Sequence, residues 1–258
     1  MQAPVNIICM KWGRMYGPEY VNHLRAGVAR HLKRRHRFVC FTDDAGSLDP
    51  GIEALPLPSL GVPAGHGDLR WRKLAVFGRE LHDLRGTTLF LDLDLVVVAS
   101  LDEFFDLPGA FLIIRDDDLF RPKPLRKLNP GRDRFLHSVG NSSVFRFEIG
   151  QHVDILDAYL ADPAGATAAY EISQQFQSAQ LARRGLLQYW PKGWCVSFKN
   201  DCVPRGLKSY LADPAVPEGA RIVVFAGTPK MGDVLAGGGH TWYRRIGKLG
   251  WLHQAWGA

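Results

Sequence analysis

The run Thr87-Thr88-Leu89-Phe90-Leu91-Asp92-Leu93-Asp94-Leu95-Val96-Val97-Val98 reads as a buried β-strand that ends on two carboxylates. Threonine, aromatic and branched aliphatic residues suit pleated backbone, and an almost continuous apolar run marks a strand covered on both faces. An ionised carboxylate is very costly to bury without a partner, so Asp92 and Asp94 must reach solvent at the strand end or share a cation. Side chains alternate along a strand, which places residues two apart on one face. Both carboxylates are then expected to meet one Mg²⁺ or Mn²⁺, hard cations that prefer oxygen ligands. The plainer alternative is a pair of acids that carries the strand end into water.

Working outward, Val5 to Met10 is a strand, and Gly17-Pro18 opens a helix whose apolar stripe is Val21, Leu24, Val28 and Leu32. Lys33, Arg34 and Arg35 at its far end complement the negative pole of the helix dipole. Phe38 to Thr42 is a second strand, and a short strand is expected near Ile52 to Leu55. Trp71 to Leu81 is expected to be helical, packing Leu74, Phe77 and Leu81. The acid-ended strand follows, then strands at Ala110 to Arg115 and Asn141 to Phe147. Helices are expected near Val153 to Tyr159 and Ser173 to Arg184, with late strands at Cys195 to Phe198 and Ile222 to Phe225. Strands separated by helices predict an α/β fold with a mainly parallel central sheet, whose ligands bind beyond the carboxyl ends of the strands. No internal repeat or linker divides the chain. We read 1–258 as one domain, with a nucleotide-binding half over 1–115 and an acceptor-side half with a closing segment over 116–258.

With 258 residues, 46% of them apolar, the chain can bury a substantial core. Its net charge of +6 favours anionic partners: a nucleotide diphosphate, an acidic glycan or an anionic membrane surface touched peripherally. No zinc-finger, aromatic RNA-binding or helix-turn-helix pattern accompanies the charge, so nucleic acid is not expected. Neither a leader-like start nor an apolar run of spanning length is present, and a cytoplasmic location is the expectation. Cys9 and Cys40 fall in buried strands, while Cys195 and Cys202 lack zinc spacing, so all four are expected as free thiols. The loop after Arg115 turns from acidic (Asp116, Asp117, Asp118) to basic (Arg121, Lys123, Arg126, Lys127, Arg132, Arg134), as an acceptor-facing lid or a solvated excursion.

The Asp92-Leu93-Asp94 string also satisfies the first motif of haloacid-dehalogenase-type phosphatases, where one Asp attacks phosphorus. Position disfavours that reading, because two strands and two helices come before it. The larger pattern resembles the nucleotide-sugar glycosyltransferases of the GT-A type, in particular retaining family 8 and its bacterial relatives, with Asp92-Leu93-Asp94 as the DxD motif. The matching segments occur in order: Cys9-Met10-Lys11-Trp12-Gly13 with Tyr16, Thr42-Asp43-Asp44, Trp71-Arg72-Lys73-Leu74, the paired aspartates, Gly140-Asn141-Ser142-Ser143-Val144-Phe145, and Gly227-Thr228-Pro229-Lys230.

The resemblance implies a metal-dependent transfer of a sugar from a nucleoside-diphosphate donor, most simply uridine diphosphate, to a hydroxyl of a glycan or glycolipid. Lys11, Trp12 and Tyr16 would lie at the nucleoside, with an aromatic ring on the base and Asp43 accepting from base or ribose. Arg72 or Lys73 would bridge a carboxylate to a phosphate. Asn141 and Ser142 would contact donor or acceptor sugar. Gly227 would let the backbone approach the diphosphate, and the Lys230 ammonium would meet charge on the leaving group. The family's Asp-Gln pair near the anomeric carbon falls on Ser173-Gln174, so only Gln174 matches and no carboxylate nucleophile is evident there. Retention by front-face displacement follows from that resemblance. One departure concerns the metal: Val224 and Ala226 stand where relatives carry a histidine ligand, and His240, after Gly237-Gly238-Gly239, is the replacement the sequence offers. A nucleotide-sugar-binding protein without transferase activity is the alternative that this departure raises.

Overall fold

The computed structural model describes residues 4–62, 69–119, 139–242 and 244–257. Its strands are β1 (Val5–Lys11), β2 (His36–Thr42), β3 (Glu53–Pro56), β4 (Thr87–Leu91), β5 (Leu95–Val97), β6 (Leu112–Arg115), β7 (Gly140–Glu148), β8 (Gln188–Tyr189), β9 (Cys195–Ser197) and β10 (Ile222–Val224). The described helices are α1 (Pro18–His31), α2 (Asp116–Leu119), α3 (Val153–Ala161), α4 (Pro163–Ala169), α5 (Ser173–Arg183), α6 (Met231–Leu235) and α7 (Gly250–Trp256). A seven-stranded sheet runs in the order β3-β2-β1-β4-β7-β6-β8, beside a three-stranded sheet ordered β5-β10-β9. In the larger sheet only β7 runs against its neighbours, pairing antiparallel with both β4 and β6, while the other pairings are parallel. The expected mainly parallel sheet is therefore present with one reversed strand.

Alternation along the buried strands divides the core. Ile7, Cys9, Cys40, Leu89 and Leu91 face α1 and the smaller sheet, meeting Val21, Leu24 and Val28 of the helix and Leu95 and Val224 of the sheet. Ile8, Met10, Val39, Phe41, Phe90 and Phe145 face the opposite way, onto Trp71, Leu74, Phe77, Tyr159 and Phe176. The outer face of the smaller sheet packs Val96, Val196 and Val223 against Leu252 and Trp256 of α7, an element the sequence reading did not anticipate. Burial on both faces explains why these strands read as continuous apolar runs rather than as alternating ones.

Two sequence expectations are corrected. The long strand Thr87 to Val98 is broken: β4 belongs to the larger sheet and β5 to the smaller, so Asp92 and Asp94 lie at the crossing and not on one pleated face. The segment expected as a helix over Trp71 to Leu81 is a 3₁₀ helix over Leu69–Phe77, and Leu81 lies beyond it in a bridge to Leu84. At three residues per turn, positions i and i+3 eclipse. Trp71, Leu74 and Phe77 thus share the buried face, each 1% exposed or less. The acidic start of the loop after β6 is the helix α2, whereas its basic residues Arg121 to Arg134 lie outside the described residues. All four cysteines are free and buried. Among the described residues no helix is long and apolar enough to cross a membrane.

Arg146 on β7 is a buried cation, 5% exposed, that donates to the carbonyls of Phe104 and Leu107 at 2.8 Å and of Gly109 at 2.7 Å. Those three carbonyls belong to the stretch joining β5 to β6, so one side chain fixes that connection beneath the sheet. Replacing Arg146 by Leu leaves the buried Phe104 carbonyl and the part-buried Leu107 and Gly109 carbonyls without this donor, and we expect a loss of stability of about 2–4 kcal/mol. Urea denaturation of the variant would measure it, and a loss below about 1 kcal/mol would show that other donors replace the guanidinium.

Candidate active site

Each strand running toward the same sheet edge delivers polar residues at its carboxyl end. β1 leads into Trp12, Gly13 and Tyr16; β4 into Asp92 and Asp94; β6 into Asp116. The reversed β7 begins at that edge, so its first residues, Gly140 to Ser143, join them. The registers Leu91 with Val144 and Arg115 with Gly140 fix this placement. A Cβ on Gly140 would meet the Ile113 side chain at 2.6 Å, which explains glycine at the irregular step between β6 and β7. The resulting cleft has a volume of about 430 Å³ and is lined by Met10, Trp12, Arg14, Met15, Tyr16, Arg70, Lys73, Asp92, Leu93, Asp94, Ser142, Ser173 and Gln174 among others.

The crossing Asp92-Leu93-Asp94 is pinned at both ends. The Asp92 amide donates to the Ser143 carbonyl at 2.9 Å, and the Phe225 amide donates to the Asp94 carbonyl at 2.8 Å. Leu93, 3% exposed, packs in the core between them. The two carboxylates are held differently. The Lys73 ammonium lies 2.8 Å from both oxygens of Asp92 and also donates to the carbonyl and hydroxyl oxygens of Ser142 at 3.2 Å. Asp94 accepts from the Tyr16 hydroxyl at 3.2 Å. Burial, and then the neighbouring Asp92 charge, push the Asp94 carboxyl up to about 6, against the opposing pull of Lys73, Lys230 and the Tyr16 hydroxyl. Burial and the same two carboxylates raise the Tyr16 phenol, which therefore stays protonated as a donor.

A second set of bonds runs from Lys73 across the cleft floor. Gln174 Oε1 accepts from the Ser142 amide at 3.3 Å and its hydroxyl at 3.4 Å, while Nε2 donates to Asp116 Oδ1 at 3.3 Å. Asn141 donates to the same Asp116 oxygen at 3.3 Å and accepts from the Ser143 amide at 3.0 Å. Asp116, 6% exposed, thus orders two side chains that the sequence singled out, although the sequence reading placed it in a loop. Its position directly after β6 was the available signal, the same rule that picked out Asp92 after β4.

The remaining sequence-selected residues divide into those at the cleft and those beside it. Trp12 and Tyr16 line it. Lys11 is 4% exposed and donates to the Asp44 carbonyl at 3.3 Å, beneath the loop that follows β2. Asp43 accepts from the Gly13 amide at 2.9 Å, so it shapes the loop bearing Trp12 and Tyr16. Arg72 does not line the cleft; Arg70 does, because the 3₁₀ repeat puts it on the face of Lys73. Gly227 is exposed in the left-handed region at φ 83°, and a Cβ there would meet nothing within 4 Å, so backbone conformation rather than crowding calls for glycine. Lys230 is exposed at the start of α6 and acts on Asp94 through space. The structure does not bring His240 to the aspartates. Its Nε2 lies 3.0 Å from the Gly237 carbonyl and its Nδ1 accepts from the Ile246 amide at 3.0 Å, so both ring nitrogens organise its own loop. Among the described residues no three His, Cys, Asp or Glu side chains gather as a metal site.

The raised Asp94 carboxyl makes a signed pH prediction for the protein in chelator. Between the unfolded value near 4 and the folded value of about 6, the native state binds more protons than the unfolded state, so stability falls as pH rises through that window. Asp94→Asn removes this term and should make the metal-free protein more stable than wild type at pH 7.5, by on the order of 2 kcal/mol, with the difference vanishing near pH 4. Urea melts of both proteins across that range test it; a pH-independent difference would mean that the carboxyl is not strained.

No family model matches the chain, and no curated protein matches it at a significant level. Solved structures do. The galactosyltransferase LgtC, crystallised with donor and acceptor sugar analogues, aligns over 87% of this chain and 88% of its own, with a TM-score of 0.57 and 13% identity. The bifunctional glycosyltransferase WbbM aligns over 89% of this chain and 47% of its own, with a TM-score of 0.58 and 14% identity. At such identities the likeness is one of architecture, and the architecture is that of the GT-A glycosyltransferases.

Proposed function

We propose that this chain is a glycosyltransferase that moves a sugar from a nucleoside-diphosphate donor, most simply uridine diphosphate, to a hydroxyl of a glycan or glycolipid. The observation that carries the reading is the crossing at Leu93, which sets two carboxylates in a cleft, with Lys73 bound to Asp92, Tyr16 bound to Asp94 and Lys230 acting on Asp94 through space. The fold likeness and the polar floor of Ser142 and Gln174 support it.

The donor set fits Mg²⁺ or Mn²⁺. Asp92 and Asp94 offer hard oxygen donors in one cleft, with an ammonium against Asp92 and a hydroxyl against Asp94 as direct partners. When bound, such a cation would supply charge neutralisation for the diphosphate, with phosphate and water oxygens completing its shell. Trp12 offers a ring for the base. Lys73 keeps Asp92 oriented, and Lys230 meets the diphosphate as charge grows on it. Gln174 lines the cleft with an amide, which can orient a hydroxyl but is no nucleophile. Retention is taken from the resemblance to the retaining family alone, and an amide at this position fits its front-face form. The acceptor oxygen bonds to the anomeric carbon as the bond to the diphosphate breaks, the electron pair leaves with the diphosphate, and the hydroxyl proton passes to a departing phosphate oxygen.

Calorimetric titration tests the binding step. Wild type should bind uridine diphosphate in Mn²⁺ at least about tenfold more tightly than in chelator, and Asp94→Asn should lose that difference while remaining folded. Equal metal dependence in both proteins would remove the cation from Asp94.

Turnover separates the remaining readings. A transferase should hydrolyse a uridine-linked sugar slowly in the absence of acceptor and leave p-nitrophenyl phosphate untouched. Rapid phosphate release with a phosphoaspartate at Asp92 would assign the phosphatase. Nucleotide-sugar binding with no turnover of any acceptor would assign a binding protein, the alternative that Val224 and Ala226 raise.

A further inference from the structure

Among the described residues, the most exposed large apolar side chains outside the cleft gather in two segments of the C-terminal half. Leu207, Tyr210 and Leu211 are 79%, 49% and 88% exposed, and Trp242 is 90% exposed. The segments are bound to each other. The Tyr210 hydroxyl donates to the Trp242 carbonyl at 3.2 Å, the Arg245 amide to the Ser209 hydroxyl at 2.9 Å, and the Lys248 amide to Asp213 at 2.8 Å. The short helix Gly206–Tyr210 buries Ser209 inward and turns Leu207 and Tyr210 outward. Arg205, Lys208, Arg245 and Lys248 are exposed in the same two segments, against the single carboxylate of Asp213. A tryptophan and two leucines this exposed, in segments that also carry four exposed cations, are costly in water and suit an interface whose one side is apolar and whose other side is anionic.

We propose that this patch is a membrane-docking surface that seats on an anionic bilayer, with Trp242, Leu207 and Leu211 entering the headgroup boundary and the four cations meeting lipid phosphates. Charge complementarity selects this occupant, because a second copy of the chain would oppose the same cations to one another. The position has a consequence for the substrate, which rests on the transferase reading. Residues 239–241 and Arg244 line one depression with Thr228 and Pro229, immediately before Lys230. Docking by Trp242 and its neighbours therefore holds the Lys230 loop close to the bilayer, where an acceptor hydroxyl carried on a lipid-anchored glycan would be presented.

Vesicle flotation decides it. Wild type should bind vesicles of phosphatidylcholine with about one-third phosphatidylglycerol at least about tenfold more tightly than vesicles of phosphatidylcholine alone, and less tightly as salt rises. The triple variant Leu207→Ser, Leu211→Ser, Trp242→Ser should lose about tenfold or more of that binding, and Lys208→Glu with Arg245→Glu should lose the preference for anionic lipid. Uridine diphosphate titration of the same variants should be unchanged, so failure of the nucleotide reading would appear there and not in flotation. Wild type that ignores anionic vesicles, or a triple variant that binds them equally, overturns the proposal. Concentration-dependent dimers in light scattering that Trp242→Ser dissolves would also overturn it, assigning the patch to a second copy.

Discussion

The chain passes from one sheet to another through three residues, Asp92-Leu93-Asp94, with Leu93 buried at their centre, and the site is built around that passage. The Asp92 amide is fixed to β7 of the larger sheet and the Asp94 carbonyl to Phe225 beside the smaller one. With Leu93 buried, neither carboxylate can turn inward. Both are therefore exposed to the cleft by the packing of two cores, and mutual repulsion is a cost that the fold imposes rather than one that the local sequence could relieve.

The pair is unequal in a way that matters chemically. Asp92 already has an ammonium against both oxygens, whereas Asp94 has a phenol hydroxyl in contact and cations only at longer range. A hydroxyl donor stabilises a buried carboxylate much less than an ionic partner does. On the transferase reading, Asp94 is thus the carboxylate at which a divalent cation would add most. Lys73 also limits what a cation would do at Asp92, since the ammonium and the metal would share one carboxylate unless the diphosphate draws Lys73 away.

Much of this was legible in the sequence because fully buried strands leave continuous apolar runs, and these placed β1, β2, β6, β7 and β10 near their observed bounds and the start of β4 at Thr87. The break after Leu91 was not legible: an apolar residue at 93 looks the same in a strand as in a buried crossing. Strand direction is likewise absent from local pattern, so the reversal of β7, which brings Ser142 and Asn141 to the cleft, appears only in the pairing. Arg70 was missed because spacings of three fit an α-helix nearly as well as a 3₁₀ helix, and the difference decides which basic residue shares the face of Lys73. For His240 a flexible glycine run suggested reach, yet those glycines close a tight loop in which the ring bonds its own backbone.

The reversed strand also explains how distant elements come to govern the aspartates. From Asp116 the bonds run to Gln174 on α5, on to Ser142 on β7, then to Lys73 on the 3₁₀ helix and finally to Asp92. The Ser142 hydroxyl has one role at each end, accepting from Lys73 and donating to Gln174, so the order of donors and acceptors along the chain is fixed. Four separate elements thereby hold one ammonium in place, and that ammonium orients the carboxylate beside the crossing. A sugar hydroxyl that replaced Ser142 at Gln174 would loosen the grip on Lys73 at the moment the donor fills the cleft. On the transferase reading, occupancy of a sugar position at Gln174 would be linked to the freedom of the Asp92 carboxylate through a path that no single motif in the sequence contains.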